Sequence, residues 1–222
     1  MLVTIDGLLD PERLQAVQAL LGACRFVDGK HSAGANARGV KSNQEAQLDG
    51  EQFEALNNVV MTALVKHPSY LHSAFPARIA APIYARYRAG MGYGTHIDDP
   101  LMGGASRYRS DVSVTVFLNG PADYEGGELC IDTGSGETRI KLAAGSAVLY
   151  PANARHSVSE VTSGERLVAV SWVQSMIRDA GKRRILSDLV QARDAIDRHR
   201  DPQTYSRVED AYVNLMRMWA EP

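Results

Sequence analysis

An α+β fold is what this sequence predicts: an antiparallel sandwich or jelly roll, with helices before it and a helical extension after it. Three observations carry that expectation. Apolar residues in the first third recur at helical spacing. From about Arg78 to Val173 the pattern becomes short alternating runs divided by Gly and Pro. After Trp172 the helical period returns.

The elements follow in chain order. Asp10-Pro11-Glu12 offers a cap, a first-turn proline and a first-turn acid, and Leu14, Val17, Leu20 and Leu21 follow at helical spacing. The polar, Gly-containing stretch from Asp28 to Gln47 reads as loop or irregular strand. A second helix is expected from about Asp49 to His67, with Phe53, Leu56, Val60 and Leu64 on one face and Pro68 as its stop. Val112, Val114, Val116 and Leu118 alternate with Ser113, Thr115 and Phe117, the period of a strand. Tyr124-Glu125-Gly126-Gly127-Glu128 reads as a turn between strands, and 145–151 and 166–173 as further short strands. Ile185, Leu189, Ala192 and Ile196 mark a helix that Asp201-Pro202 ends, and Tyr205, Val208, Tyr212, Leu215 and Trp219 mark another. The chain thus divides into a helical and mixed support region (1–76), a β-rich domain (77–176) and a C-terminal helical module (177–222).

Composition narrows the partners. The 222 residues fit one ordinary domain with extensions, and 45% apolar content is enough for a core. A net charge of −2 without a basic excess gives no reason to expect nucleic acid. No stretch approaches the roughly 20 apolar residues that span a bilayer, so no membrane partner is expected. Cys24 and Cys130 lie far apart and outside any C-x-x-C motif, which suits a reducing cytosol. Met1–Asp6 shows no basic region followed by an apolar run, so no signal peptide is expected and the location read is cytoplasmic.

The chemistry gathers at four positions. In an extended chain residues i and i+2 share a face, so His96 and Asp98 can hold one metal from one strand. Asp99 would point the other way. His156 follows the polar turn 151–155, where a third ligand can arrive from a facing strand. Two imidazoles and one carboxylate form a facial triad with open positions, the set expected of non-haem Fe(II) oxygenases. Arg166 opens the apolar run Leu167–Trp172, and burying its guanidinium is costly unless an anion pairs with it. Its planar fork suits a carboxylate, and Tyr87 can add a phenol hydrogen bond. A lone His is usually structural, so His31, His67, His72 and His199 are given no role.

Tyr87, Gly92-Tyr93, His96-x-Asp98, Phe117-Leu118-Asn119, Glu125–Leu129, His156 and Arg166 together resemble the prolyl/lysyl-hydroxylase type of Fe(II)/2-oxoglutarate dioxygenase. The bacterial PKHD-type hydroxylases, including PiuC-like proteins associated with iron uptake, are the match, and the resemblance runs over nearly the whole chain. Segments 39–44 and 109–113 and the helical tail support it. The resemblance implies a double-stranded β-helix over 77–176, Fe(2+) on His96, Asp98 and His156, and 2-oxoglutarate held by Arg166 and Tyr87. It implies a hydroxylase that consumes O2, releases succinate and CO2, and uses L-ascorbate as a helper. Retention of Asp98 argues against the related halogenases, which keep a small residue there.

The substrate is not named by the sequence. The segment Leu101–Tyr108 is a flexible loop in the position of a lid, and Lys41, Arg107 and Arg109 are candidates for an acidic group, with structural roles the commoner outcome. A triad oxygenase without a keto acid, and a sensor that binds iron and 2-oxoglutarate without turnover, remain as other readings. The helical tail is expected to lie away from the metal and to support a homodimer, since Trp and Tyr are frequent interface anchors.

Overall fold

The computed structural model describes residues 1–32, 34–104, 106–134 and 136–221. Two antiparallel sheets form its centre. The larger runs Val3–Ile5, Ala147–Pro151, Val112–Phe117, Val161–Ser175, Ile83–Arg88, Gln44–Gln47, Arg25–Asp28. The smaller runs Glu137–Ile140, Leu129–Asp132, His156–Val158, Gly92–His96, Lys41–Ser42. Strands from the first 76 residues therefore extend both sheets.

Alternation decides what each face of the large sheet meets. Val112, Val114 and Val116 pack, with Tyr84, Ala169 and Val173, against residues of Pro11–Gly22, Gly50–Lys66 and Pro68–Ala74, among them Val17, Leu21, Leu56, Val60 and Leu64. Phe117, Ala85, Tyr87 and Val168 face the other way and pack on Leu129, Ile131 and Val158 of the small sheet. Both faces are covered, so every residue of Val112–Phe117 is buried, including Ser113 and Thr115. Polar side chains at such positions need partners, and they find them at the site.

The helices begin and end where their caps direct. Asp10 accepts from the Arg13 amide, and Asp49 and Gln52 close a capping box. Pro68 does not merely stop the second helix. It occupies the first turn of a new one, Pro68–Ala74, because proline costs nothing at a position whose N–H has no helical partner. Phe53 is exposed while Leu56, Val60, Ala63 and Leu64 are buried, so the inner stripe of Gly50–Lys66 starts a turn later than expected. The expected turn at 124–128 contains a strand, Tyr124–Gly126, paired to Val161–Ser175 through a bulge. Gly126 and Gly127 adopt φ of 68° and 66°, where a glycine is needed to leave the bulge.

After Ser175 the chain forms Ala180–Asp194 and Pro202–Trp219, with Asp201 capping the second. The buried positions of the first are Arg183, Leu186, Ser187 and Val190, and Ile185 of the expected stripe is exposed. Leu186 packs with Phe75 and Ile177, beside Tyr212, Leu215 and Trp219 of the last helix. No helix among the described residues is long and apolar enough to cross a membrane.

Candidate metal and co-substrate site

His96 ends the strand Gly92–His96 and His156 begins His156–Val158, and the two stand opposite each other in the antiparallel register. Their rings are 4.3 Å apart. Asp98 arrives differently from the expected strand pair: the strand stops at His96, and Asp98 lies in the following loop. Its Oδ1 still lies 4.0 Å from His96 Nε2 and 3.8 Å from His156 Nε2. One ligand atom from each of the three falls within 4.8 Å of the others, the spacing of donors around a single ion.

The neighbours orient these donors. His96 Nδ1 is 2.9 Å from the Gly94 carbonyl, and His156 Nδ1 is 3.0 Å from that of Ala154. A carbonyl only accepts, so each Nδ1 carries the proton and each Nε2 presents its lone pair inward. Burial, then the adjacent His156, lowers the pKa of His96, which keeps it in the neutral, ligating form. The Ser113 hydroxyl donates to Asp98 Oδ2 and leaves Oδ1 facing the histidines. Tyr93 stacks on His96 at 3.8 Å, and Tyr150 meets His156 edge-on at 5.0 Å.

Arg166 lies at the floor of a cleft of about 430 Å³ that also holds the three donors. It is 1% exposed, and its Nε is buried without a hydrogen-bond partner. The guanidinium sits 5.1 Å from the Tyr87 ring and 5.5 Å from that of Phe117, and among the described residues no carboxylate forms an ion pair with it. A buried cation that meets aromatic rings and a phenol, but no carboxylate among the described residues, is a receptor for an anion. Tyr87 is Arg166's register partner on the neighbouring strand. Burial raises its pKa, and the Arg166 charge and a bond from Asn43 only partly oppose this, so the phenol stays a donor beside the guanidinium.

The five expected residues therefore converge on one cleft, with Arg166 and Tyr87 more completely buried than His96 and His156. The expected loop after Asp98 is a small hairpin, Leu101–Met102 paired with Tyr108–Arg109, whose Leu101, Met102, Gly103 and Tyr108 line the rim. Ala105 lies outside the described residues. Of the three cations considered for substrate, Lys41 lines the cleft. Arg109 is bound to Asp111 at 3.1 Å and to the Ser175 carbonyl, a structural role, and Arg107 is not part of the wall. Ser113, Thr115, Tyr93 and Tyr150 were not assigned roles by the sequence. The signal for the first two was present as small polar side chains in the middle of a strand covered on both faces.

The donor set fits Fe(II), and the Arg166–Tyr87 floor fits a dicarboxylate whose far end needs an anion clamp. Comparison with known proteins gives the family. Residues 82–174 match the family model of the 2OG-Fe(II) oxygenase superfamily. A PKHD-type hydroxylase of Thioalkalivibrio sulfidiphilus is 47% identical over 100% of both chains. One of Acaryochloris marina is 43% identical over 100% of both. Among solved structures, a prolyl hydroxylase from Trichoplax adhaerens in complex with a hypoxia inducible factor peptide fragment is similar in fold. It has a TM-score of 0.57 at 20% identity, covering 84% of this chain and 86% of that one.

Proposed function

The chain belongs to the PKHD-type hydroxylases of the 2OG-Fe(II) oxygenase superfamily, and from that premise we propose that it hydroxylates an unidentified substrate at a site built from His96, Asp98, His156, Arg166 and Tyr87. The family makes it a dioxygenase that uses Fe(II), 2-oxoglutarate and O2. When bound, the iron and its keto acid supply the oxidising power that places one atom of O2 on a C–H bond and leaves succinate and CO2. The rest belongs to the protein. His96 and His156 offer Nε2 lone pairs fixed by backbone carbonyls, and Asp98 offers Oδ1. Arg166 and the Tyr87 hydroxyl take the distal carboxylate, and the apolar walls at Leu129, Val158 and Val170 keep water from the reacting centre.

The single observation that carries this reading is the buried Arg166, with no acidic partner among the described residues, lining the same cleft as the three donors. The test is anaerobic calorimetry of 2-oxoglutarate binding to the Fe(II)-loaded protein, followed by oxygen exposure. We expect metal-dependent binding, then succinate release that a cell extract stimulates, with a product one oxygen heavier. Failure to bind 2-oxoglutarate would overturn the reading. Binding without succinate under any extract would leave a sensor in its place.

Four finer points belong to the same proposal. L-ascorbate maintains the metal in its ferrous form, and the substrate is connected with iron uptake; both rest on the family resemblance. The protein works in the cytoplasm, which two free cysteines suit. It forms a homodimer through the helical tail, whose last helix buries no residue fully and leaves Met218 72% exposed.

A further inference from the structure

One wall of the cleft is polar for a reason that neither metal nor co-substrate explains. Lys41 comes from the edge strand of the small sheet, opposite Tyr93, and Glu45 from the large sheet, opposite the inward-facing Ala85. The two side chains are 8% and 13% exposed, and both line the cleft. Lys41 Nζ is 2.5 Å from Glu45 Oε1 and 2.9 Å from Ser32 Oγ, and Ser32 Oγ also donates to Oε1 at 2.7 Å. All three bonds use one carboxylate oxygen or the ammonium. Glu45 Oε2 takes no hydrogen bond from a described residue, and no described residue accepts the third ammonium N–H of Lys41, whose Nζ lies 5.5 Å from the centre of the Tyr93 ring.

We propose that Lys41 and Glu45 form the specificity-determining polar subsite for the prime substrate and that they read a neutral carboxamide. The inference rests on the function proposed above. A buried pair with no net charge disfavours a charged ligand, because either sign would leave one charge uncompensated. A carboxamide offers what each partner lacks: its N–H donates to Glu45 Oε2, and its C=O accepts the remaining ammonium N–H. The lining beside the pair, with Ile83 and Val170 from the large sheet and Met102 and Tyr108 from the hairpin, is more apolar and receives the hydrocarbon part carrying the reactive C–H. Arg166 is committed to the co-substrate and does not compete.

The test uses the full chain loaded with Zn(II) and saturated with 2-oxoglutarate, which cannot turn over. N-methyl-4-methylpentanamide and methyl 4-methylpentanoate, which differ only in amide against ester, are titrated against it by ligand-observed NMR, with 2-oxoglutarate affinity measured on parallel samples. We expect the amide to bind about tenfold tighter than the ester, the worth of one hydrogen bond to a charged group. In Lys41→Met/Glu45→Leu, an apolar pair of similar volume, the ratio should fall to about one with 2-oxoglutarate affinity unchanged. Equal binding of the two probes to the native chain, or no binding of the amide, overturns the proposal without the variant being needed. So does a preference that survives in the variant, or a collapse of its 2-oxoglutarate affinity, which would put Lys41 in the co-substrate clamp. A native chain that takes up no 2-oxoglutarate overturns the functional reading instead.

Discussion

Ser113 does for Asp98 what the Gly94 and Ala154 carbonyls do for the histidines: it occupies the ligand's outer atom so that the inner one points to the metal. Outer partners of this kind are worth about 10–100-fold in metal affinity. Ser113→Ala should weaken Fe(II) binding by that factor with an unchanged melting temperature, read by competitive metal titration; an unchanged affinity would reduce Ser113 to packing. His156→Ala should abolish turnover, and full activity in that variant would remove His156 from the ligand set. Arg166→Ala should cost on the order of 2–5 kcal/mol, seen mainly in the 2-oxoglutarate concentration dependence. Glu128 gives the pH prediction. The Ser159 hydroxyl, then its own backbone N–H, holds its carboxyl below the ordinary 4.5. The folded state therefore favours the ionised form, and the stabilisation is present above that value and lost as pH falls through the lowered one. Glu128→Gln should be less stable than the native chain at pH 7, with the gap closing in acid, as followed by urea titration at several pH values. At this scale His96, Asp98, His156 and Arg166 were legible as a set, because their residue types and spacing together match a metal triad and an anion clamp, which none of them does alone. Ser113 was not, because a serine acquires this role only from what lies across from it.

The elements were legible where local chemistry fixes them and illegible where only tertiary contacts do. Asp10-Pro11 and Asp49-Gly50-Glu51-Gln52 declare two helix starts, and both helices begin there. The alternation at 112–117 declares a strand. Arg25–Asp28 carries no alternating pattern and exists because Gln44–Gln47 offers it an edge to pair with. The inward stripe of Ala180–Asp194 falls on Leu186 and Val190 rather than Ile185 because Phe75 and Ile177 lie on that side. The glycines at 126–127 look like a turn in sequence, yet they let a strand bulge. A Cβ on Gly126 would come 2.0 Å from the Glu160 carbonyl oxygen at φ 68°. Gly126→Ala should therefore destabilise by at least about 1–3 kcal/mol, measurable by chemical denaturation. A smaller loss would mean that the bulge shifts to accommodate the methyl group.

At the scale of the molecule, the catalytic cleft and the helical tail share one chain without sharing a wall: among the described residues, none after Trp172 lines the cleft. The tail is nevertheless tied to the sheet beneath the site. Arg183, 2% exposed, donates to the carbonyls of Ile177, Arg178 and Asp111, and the Glu221 amide donates to the Met176 carbonyl. A chain ending at Ser175 would lose these bonds and uncover Phe75, so it should melt well below the full chain and aggregate, even though its metal donors are all present. The last helix is the exception to this economy. Tyr212, Leu215 and Trp219 rest on the rest of the module, while Val213 and Met218 face outward. A two-fold contact is the commonest way to cover such a face, and its consequence is measurable. Light scattering of the full chain at micromolar concentration should give about twice 24.2 kDa, and Met218→Glu should return it to the single-chain mass without loss of 2-oxoglutarate binding. A native chain that scatters as a single 24.2 kDa species would discard the dimer. The helical pair would then be a support that holds the end of the central strand in place.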